Sequence, residues 1–579
     1  MTEFTVWAPD VARVRLRLPG VADHEMRPAP GGWWRVEVPG AGAGAGTDYA
    51  FLLDDDDRAL PDPRSAWQPA GVHGPSRVYD HSAFDWTDQG WTGRQLPGSV
   101  LYELHVGTFT PEGTFDAAID RLDHLVSLGV DLIELLPVNA FNGEYNWGYD
   151  GVCWYAPHQP YGGPDGLKRL VDAAHAKGLG VILDVVYNHF GPSGAYAPMF
   201  APYLTEQSNT WGRTVNLDGP HSDGVRRYIV DSVLMWLRDY HVDGLRLDAV
   251  HAMPDSRATH FLEEIAVEVE ALSAHLGRPL SLIAESDLND PKLITPREGG
   301  GFGLHAQWND DAHHALHTLL TGERQGYYCD FGSLECLTDV LTGAFFHAGG
   351  WSGFRNRSHG RPVDRQRTPG HRFVAYLQNH DQIGNRATGD RISASLSAAQ
   401  LRVGAVLLMT APFTPMLFMG EEWAASTPWQ FFTSHPEPEL ATAVATGRRR
   451  EFAAHGWPEG DVPDPQDPQT FLRSRLDWAE LDKPEHREMF EFHRRLIVLR
   501  KSRPDLSDPR LSRVEVRHGD QFLIMRRGET LVVANLAGKP QRITLPGAVR
   551  SVLLATNTGV TVMRDRVELP AETAAIVAL

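Results

Sequence analysis

The segment at residues 242–251 carries the side chains best suited to chemistry. It reads Val-Asp-Gly-Leu-Arg-Leu-Asp-Ala-Val-His. Side chains alternate between the two faces of a β-strand, so Arg246 and Asp248 share one face. A guanidinium within reach of a carboxylate favours the ionised form that a nucleophile requires. The pattern therefore predicts a nucleophilic Asp248, although an Arg–Asp pair on the surface of any α/β strand would look the same.

A second carboxyl group, that of Glu285, follows the apolar run at residues 280–284. Apolar surroundings disfavour the charged form of a carboxyl group and keep it partly protonated, as a general acid must be. Asp248 beside Arg246 has the opposite environment. Two carboxyl groups held in opposite protonation states are what the cleavage of a glycosidic bond requires.

Alternating strands and helices must position these groups. Apolar runs predict eight strands, at residues 100–106, 130–136, 180–186, 244–248, 280–285, 305–308, 373–378 and 415–419, with amphipathic helical runs such as 115–128, 166–177 and 223–240 between them. Eight such units over nearly 400 residues favour an α/β fold of the (β/α)8 barrel type over a doubly wound sheet. Polar segments at residues 184–189, 244–251, 283–287 and 378–385 end four of the strands, where the active sites of such barrels lie.

The regions on either side of the barrel read as β-structure. Alternating residues before position 90 predict β-strands, and short strands beginning near residues 514, 522, 530 and 574 predict a small C-terminal β-sandwich. We place the domains at residues 1–92, 93–504 and 505–579. The Gly-, Arg- and aromatic-rich stretch at residues 321–371 is expected to form a loop or lid over the site.

Composition restricts the partners. The chain has 54 Lys and Arg against 74 Asp and Glu, a net charge of −20, which argues against nucleic acid and anionic membranes. Sixteen Trp, fifteen Tyr and twenty-six His offer the flat faces and hydrogen-bonding edges that a neutral sugar needs. No 18-residue apolar run and no signal peptide is visible, and three cysteines are too few for a disulfide framework. These features favour a cytoplasmic protein.

The four polar segments, taken in order, resemble the four signature regions of the α-amylase family of glycoside hydrolases, retaining (β/α)8 enzymes that act on α-glucans. The resemblance extends over nearly the whole chain, and it implies that the N-terminal stretch is a β-sandwich that precedes the barrel. It implies that Asp248 is the nucleophile, Glu285 the general acid/base and Asp381 a third carboxylate that stabilises the transition state. It further implies that Arg246, His189 and His380 line the sugar site, that Asp184 orients Arg246, and that Tyr149 stacks on the sugar.

Three segments narrow the resemblance to trehalose-releasing members of the family. They lie at residues 102–115 (Tyr-Glu-Leu-His-Val-Gly-Thr-Phe-Thr-Pro-Glu-Gly-Thr-Phe), 285–290 and 380–385. The implied reaction is hydrolysis of the α-1,4 bond next to the terminal trehalose of malto-oligosyltrehalose. A 1,4-α-glucan branching enzyme is the alternative, but such enzymes usually carry Glu where this chain has Gln382. A retaining mechanism predicts carboxyl groups of Asp248 and Glu285 about 5–5.5 Å apart.

Further candidates complete the expected site. Trp147, His251 and Gln382 are added to the substrate-binding residues. Among Trp147, Trp154, Trp211, Trp308 and Trp423 we expect two to stack on sugar. We predict no metal and no cofactor. The paired His313 and His317 are better explained by helix packing or by the sugar site than by a metal. Asn188, which matches a calcium position of secreted amylases, lacks an accompanying acidic subdomain.

Overall fold

The computed structural model describes residues 1–454 and 462–579. Its centre is a closed barrel of parallel strands, each pairing with the next and the last with the first. The strands are β1 (Leu101–Leu104), β2 (Leu132–Leu135), β3 (Gly180–Val185), β4 (Gly244–Leu247), β5 (Ser281–Ala284), β6 (Ala306–Trp308), β7 (Phe373–Tyr376) and β8 (Thr414–Phe418). This confirms the predicted (β/α)8 barrel. Seven of the observed strands are shorter than the predicted runs, whereas β8 has the predicted length and begins one residue earlier. The strand β1 ends early because Val106 already begins the helix Val106–Phe109.

Helices surround the barrel, and they lie between successive strands and after β8. The longer ones are Gly163–Ala176, Ser222–Asp239, Phe261–Leu276, Asp310–Thr321, Leu334–Gly343, Ala398–Thr410, Pro438–Ala454 and Pro484–Ser502, and the shorter ones are Phe115–Ile119, Leu122–Leu128, Ala197–Phe200, His380–Gly384, Pro468–Arg473 and Pro504–Ser507. Between β5 and β6 the chain instead forms two 3₁₀ turns, Pro291–Leu293 and Arg297–Gly299. Within residues 1–454 and 462–579, no helix is both long enough and apolar enough to cross a membrane.

Antiparallel sheets precede and follow the barrel. The N-terminal sheets contain the strands Thr2–Trp7, Trp33–Val38 and Arg27–Ala29, and His24–Glu25, Val14–Arg17, Asp48–Leu53 and Ser76–Arg77. The C-terminal sheets contain Val514–His518, Phe522–Arg527, Thr530–Asn535, Thr573–Ala578 and Ser551–Ala555, and Gln541–Thr544, Arg566–Leu569 and Thr561–Met563. Apolar side chains of both C-terminal sheets share one core. The predicted sandwiches are confirmed, while the domain boundaries at residues 92/93 and 504/505 stay predictions.

The barrel interior changes from apolar to ionisable along the strands. Its floor is an apolar cluster that includes Leu101, Leu132, Ile182 and Ile283. Residues two positions further along a strand point the same way. The layer above the floor therefore holds Glu103, Glu134, Asp184, Arg246 and Glu285. The ionisable groups therefore form one layer above an apolar layer, at the carboxyl ends of the strands.

At the opposite, amino-terminal end of the barrel, Asp243 holds several elements together. Its buried carboxylate accepts hydrogen bonds from the Trp91 indole (2.7 Å), Arg278 (2.9 Å), His175 (3.0 Å) and the backbone N–H of Val181 (2.9 Å). Removing one charge from a buried ionic network leaves the other charges buried without a partner, which costs about 3–5 kcal/mol. We expect Asp243→Asn to lower the free energy of unfolding by that amount, measured by urea denaturation.

The matched control for that variant is Asp123→Asn. Asp123 pairs with Lys177 at the surface, where its side chain is 81% exposed. Solvent screens such a pair, so the control should unfold at the wild-type urea concentration. Equal effects of the two substitutions would contradict the structural role assigned to Asp243.

Candidate active site

Arg246 lies at the centre of the polar layer, where its side chain is fully buried. Its Nη1 donates to both oxygens of Asp184, at 2.8 and 3.0 Å, and to Oδ1 of Asp248 at 2.8 Å. Its Nη2 lies 3.7 Å from Oε2 of Glu285, and the guanidinium packs 4.2 Å from the centre of the Trp308 ring. One cation thus gathers three carboxyl groups, and its contact with Asp248 is the one that the alternation within the β4 segment predicts.

The Asp248 carboxylate accepts hydrogen bonds at both oxygens. Oδ1 receives Arg246, and Oδ2 receives the Asn188 amide at 2.6 Å. The Asp248 side chain is 12% exposed, so it faces the solvent-filled side of the site. The two hydrogen bonds fix the orientation of this carboxyl group at the wall of the cavity.

Glu285 has the contrasting environment. Burial raises the pKa of Glu285 to about 8 because the attraction of Arg246 is outweighed by desolvation and by the charges of Asp248 and Asp381. Its Oε2 accepts the backbone N–H of Ala249 at 2.5 Å, and this holds the carboxyl group beside the end of β4. At neutral pH it carries a proton that it can give away.

Asp381 is the most open of the three carboxylates, with a side chain that is 37% exposed. It lies in the helix His380–Gly384, which the Asn379 side chain caps by accepting the N–H of Gln382. The neighbouring His380 ring stacks on Tyr149, with ring centres 5.2 Å apart. Tyr149 in turn donates to Asp184 at 2.6 Å. The segment after β7 is thereby tied to the Arg246 cluster.

These groups open into a cavity of about 520 Å³. It is lined by Asn146, Trp147, Tyr149, Asp150, His189, Thr210, Trp211, Asp248, Ala249, Glu285, His380, Asp381, Asn385, Phe431, Val444, Arg448 and Glu451. Seven of the eleven catalytic and substrate-binding residues predicted from the sequence therefore line one cavity, and Asp184 and Arg246 lie buried behind them.

Two of the expected substrate-binding residues lie elsewhere. His251 is exposed on the turn after β4, where its ring makes an edge contact with Trp211 at 6.5 Å. Gln382 donates to Asp310 at 3.3 Å and accepts from the Tyr327 hydroxyl at 3.3 Å. These two hydrogen bonds connect the segment after β7 to Asp310 and Tyr327. A substrate contact for either residue stays a prediction.

Of the five tryptophans considered, Trp147 and Trp211 line the cavity. Trp147 is buried and packs parallel to Trp429 with ring centres 5.4 Å apart, whereas Trp211 is 49% exposed. Trp154, Trp308 and Trp423 are buried in the core. The exposed face of Trp211 is the one better placed to receive a sugar ring.

The positions weighed as metal ligands are occupied by other contacts. The Asn188 amide donates to Asp248, as described above. The His313 ring bonds to the Leu377 carbonyl and the Tyr328 hydroxyl, and His317 bonds to Glu323. Within the described ranges, no group of three or more His, Cys, Asp or Glu side chains is arranged to hold a metal ion.

Sequence reasoning missed one wall of the cavity. Arg448 and Glu451 reach it from the helix Pro438–Ala454, and Phe431 from the preceding connection. Arg448 packs between the rings of Phe431 and Phe452, at 4.5 and 4.6 Å, and donates to the Asn385 side chain at 2.9 Å. The connection after β8 carries no motif that marks these residues, so only the folded chain reveals them.

The stretch at residues 321–371 contains the helix Leu334–Gly343 and a hairpin of Trp351–Ser352 with Arg357–Ser358. Arg355 of this hairpin lies 3.2 Å from the Asp287 carboxylate, two residues beyond Glu285. The stretch therefore contacts the segment after β5. Its role as a lid stays a prediction.

Comparison with known proteins agrees with this arrangement. Residues 77–211 match the profile described as "Alpha amylase, catalytic domain", and residues 509–576 match a domain of unknown function, DUF3459. A Salmonella typhimurium protein provisionally named alpha amylase has a crystal structure with a TM-score of 0.90 and 39% identity, covering 100% of this chain and 97% of that one.

Curated relatives are closer in sequence. The malto-oligosyltrehalose trehalohydrolase of Rhizobium sp. (strain M-11) is 56% identical, over 99% of this chain and 97% of its own length. That of Mycobacterium tuberculosis (strain CDC 1551 / Oshkosh) is 54% identical over 94% of both chains. The 1,4-alpha-glucan branching enzyme of Bacillus caldolyticus is 26% identical over 91% of this chain and 75% of its own. The chain therefore belongs to the malto-oligosyltrehalose trehalohydrolase family, within the α-amylase family of glycoside hydrolases.

Proposed function

We propose that the chain is a retaining glycosidase that hydrolyses the α-1,4 bond next to the terminal trehalose of malto-oligosyltrehalose. The observation that carries the mechanism is the pair of opposite carboxyl environments around one guanidinium. Asp248 only accepts hydrogen bonds, whereas Glu285 is buried and holds its proton to a pKa of about 8. This is the pairing of nucleophile and general acid that glycoside cleavage with retention needs.

In the first step, the Asp248 carboxylate attacks the anomeric carbon while Glu285 gives its proton to the glycosidic oxygen. The bond from that carbon to the oxygen breaks, and trehalose leaves as an alcohol. Positive charge develops on the sugar ring as the bond breaks. We assign Asp381 to its stabilisation, since this carboxylate lies open to the cavity.

In the second step, Glu285 has become a carboxylate and acts as a base. It takes a proton from water, whose oxygen attacks the anomeric carbon and releases Asp248. The shortened malto-oligosaccharide leaves with its α configuration, since two inversions restore the original one. Glu285 ends the cycle protonated, as it began.

The alternative acceptor is a sugar hydroxyl, as in a branching enzyme. The sequence identities disfavour this alternative, because two trehalohydrolases match at 54% and 56% identity and the branching enzyme at 26%. We further propose a cytoplasmic location and glucan rather than nucleic acid as the partner. The free cysteines support the first, since a reducing compartment keeps thiols unpaired; they are Cys153, Cys329 and Cys336. The net charge of −20 supports the second, since it disfavours binding to phosphates.

The test is to incubate the purified protein with maltotriosyl-trehalose and, separately, with amylose. We expect rapid release of trehalose and maltotriose from the first and little change in the second, measured by chromatography. Proton NMR during the first minutes should show maltotriose as the α anomer before mutarotation. New α-1,6 branches in amylose without trehalose release would replace this proposal with the branching reaction, and an initial β anomer would exclude retention.

A further inference from the structure

Glu103 of β1 lies below the cavity and contacts neither the nucleophile nor the acid. Its side chain is 1% exposed. One oxygen accepts the Nδ1–H of His380 at 2.5 Å, and the other accepts the backbone N–H of His380 at 3.0 Å. Two strong contacts from one carboxylate fix both the ring and the backbone of the residue that precedes Asp381. A buried charge is costly unless it is well paired, and these two hydrogen bonds pair it.

The hydrogen bonds on the other side of the ring define the protonation state of His380. Tyr149 has one hydroxyl proton, and it donates this proton to Asp184 at 2.6 Å. Asp184 also accepts twice from Arg246, so it acts as a carboxylate acceptor. The Tyr149 oxygen, 2.8 Å from Nε2 of His380, must therefore accept the proton of that nitrogen. With Nδ1–H given to Glu103, both ring nitrogens donate, and the ring is an imidazolium.

We propose that Glu103 is a positioning residue of the reaction, which holds His380 as an oriented imidazolium and thereby sets the place of Asp381. The proposal rests on the proposed glycosidase function of the same cavity. A bare imidazolium would oppose the positive charge that develops on the sugar ring. The charge of Glu103, in direct contact with the ring, balances it without entering the cavity.

The surroundings of the ring agree with this assignment. Burial disfavours the cation, but the carboxylates of Asp381 and Glu103 outweigh it and raise the pKa of His380 to about 9. The titratable and charged groups that face His380 from the packed elements are Glu103 and His105 around β1, Glu134 on β2, Tyr149 after β2, Asp184 on β3, Arg246 on β4 and Asp381 on its own segment.

Glu134 provides a matched control on the neighbouring strand. It pairs with Glu103 in register and is equally buried, but neither of its oxygens has a hydrogen-bond partner in the structure. Burial, together with the charges of Glu103 and Asp184, raises the pKa of Glu134 well above its usual value. It is thus a neutral acid, and Glu134→Gln exchanges one neutral group for another of the same shape.

The test compares Glu103→Gln with Glu134→Gln in the full chain. We expect Glu103→Gln to lower kcat at least tenfold with KM within about twofold of wild type, and to shift the alkaline limb of the pH profile to lower pH. Glu134→Gln should keep the wild-type pH profile. If both variants move the profile equally, or neither does, the proposal is overturned.

A second measurement needs neither substrate nor a folded variant of Glu103. In wild-type protein with ¹⁵N-labelled histidine, the His380 signals, assigned from their loss in His380→Asn, should show protons on both nitrogens at pH 7. A neutral His380 ring at that pH would overturn the proposal. Because this readout is independent of turnover, absence of trehalose release would count against the proposed function alone.

Discussion

We expect Asp248→Asn to lose at least about 10⁴-fold in kcat for trehalose release, the scale seen when a residue that forms the covalent intermediate is removed. The amide keeps the shape of the carboxylate but cannot form the glycosyl-enzyme. The fold should survive, because Arg246 keeps its contacts with Asp184. The measurement is trehalose release by the purified variant, together with its thermal unfolding midpoint.

The exposed Asp218, which accepts a hydrogen bond from Ser256, offers a control of the same chemistry. Asp218→Asn should retain wild-type turnover. Asp248→Ala should regain cleavage when azide is added, because the small anion can enter from the vacated face. Its product would be a β-glycosyl azide. Wild-type-like turnover of Asp248→Asn, or an α-configured azide, would refute the nucleophile assignment.

The barrel and the central carboxylates could be predicted because their signals are local. The β4 segment shows within ten residues that Arg246 and Asp248 share a face, and Glu285 follows its apolar run directly. The ends of parallel strands meet at one rim, so the order of strands alone brings such residues together. The ion pair at 2.8 Å between Arg246 and Asp248 is the outcome of that local pattern.

The residues that could not be predicted depend on contacts between distant parts of the chain. The two-residue period shows that Glu103 points inward, but its bond to His380 joins residues 277 positions apart. Arg448 belongs to the connection after β8 and enters the site only through packing on Phe431 and Phe452. The signature segment marked His251 as a candidate for substrate binding, but the turn after β4 leaves its side chain exposed.

The pKa of Glu285 leads to the second large effect. A general acid must be protonated in the free enzyme, and the protonated fraction falls as the pH rises through about 8. We therefore expect the wild-type kcat/KM to decline above pH 8. Glu285→Gln should lose the limb near pH 8, which leaves only the titration of His380 near pH 9. It should lower kcat on maltotriosyl-trehalose by about 10²–10⁴-fold, the usual contribution of a general acid.

A substrate that needs no acid separates this role from a loss of structure. Fluoride leaves without protonation, so Glu285→Gln should still form the glycosyl-enzyme from α-maltosyl fluoride at a rate near that of wild type. Breakdown by water then lacks its base, and the intermediate with Asp248 should accumulate in mass spectra of the intact protein. Azide needs no base and should speed that breakdown. Equal losses of Glu285→Gln on both substrates, or a limb near pH 8 that persists in the variant, would mean that another group donates the proton.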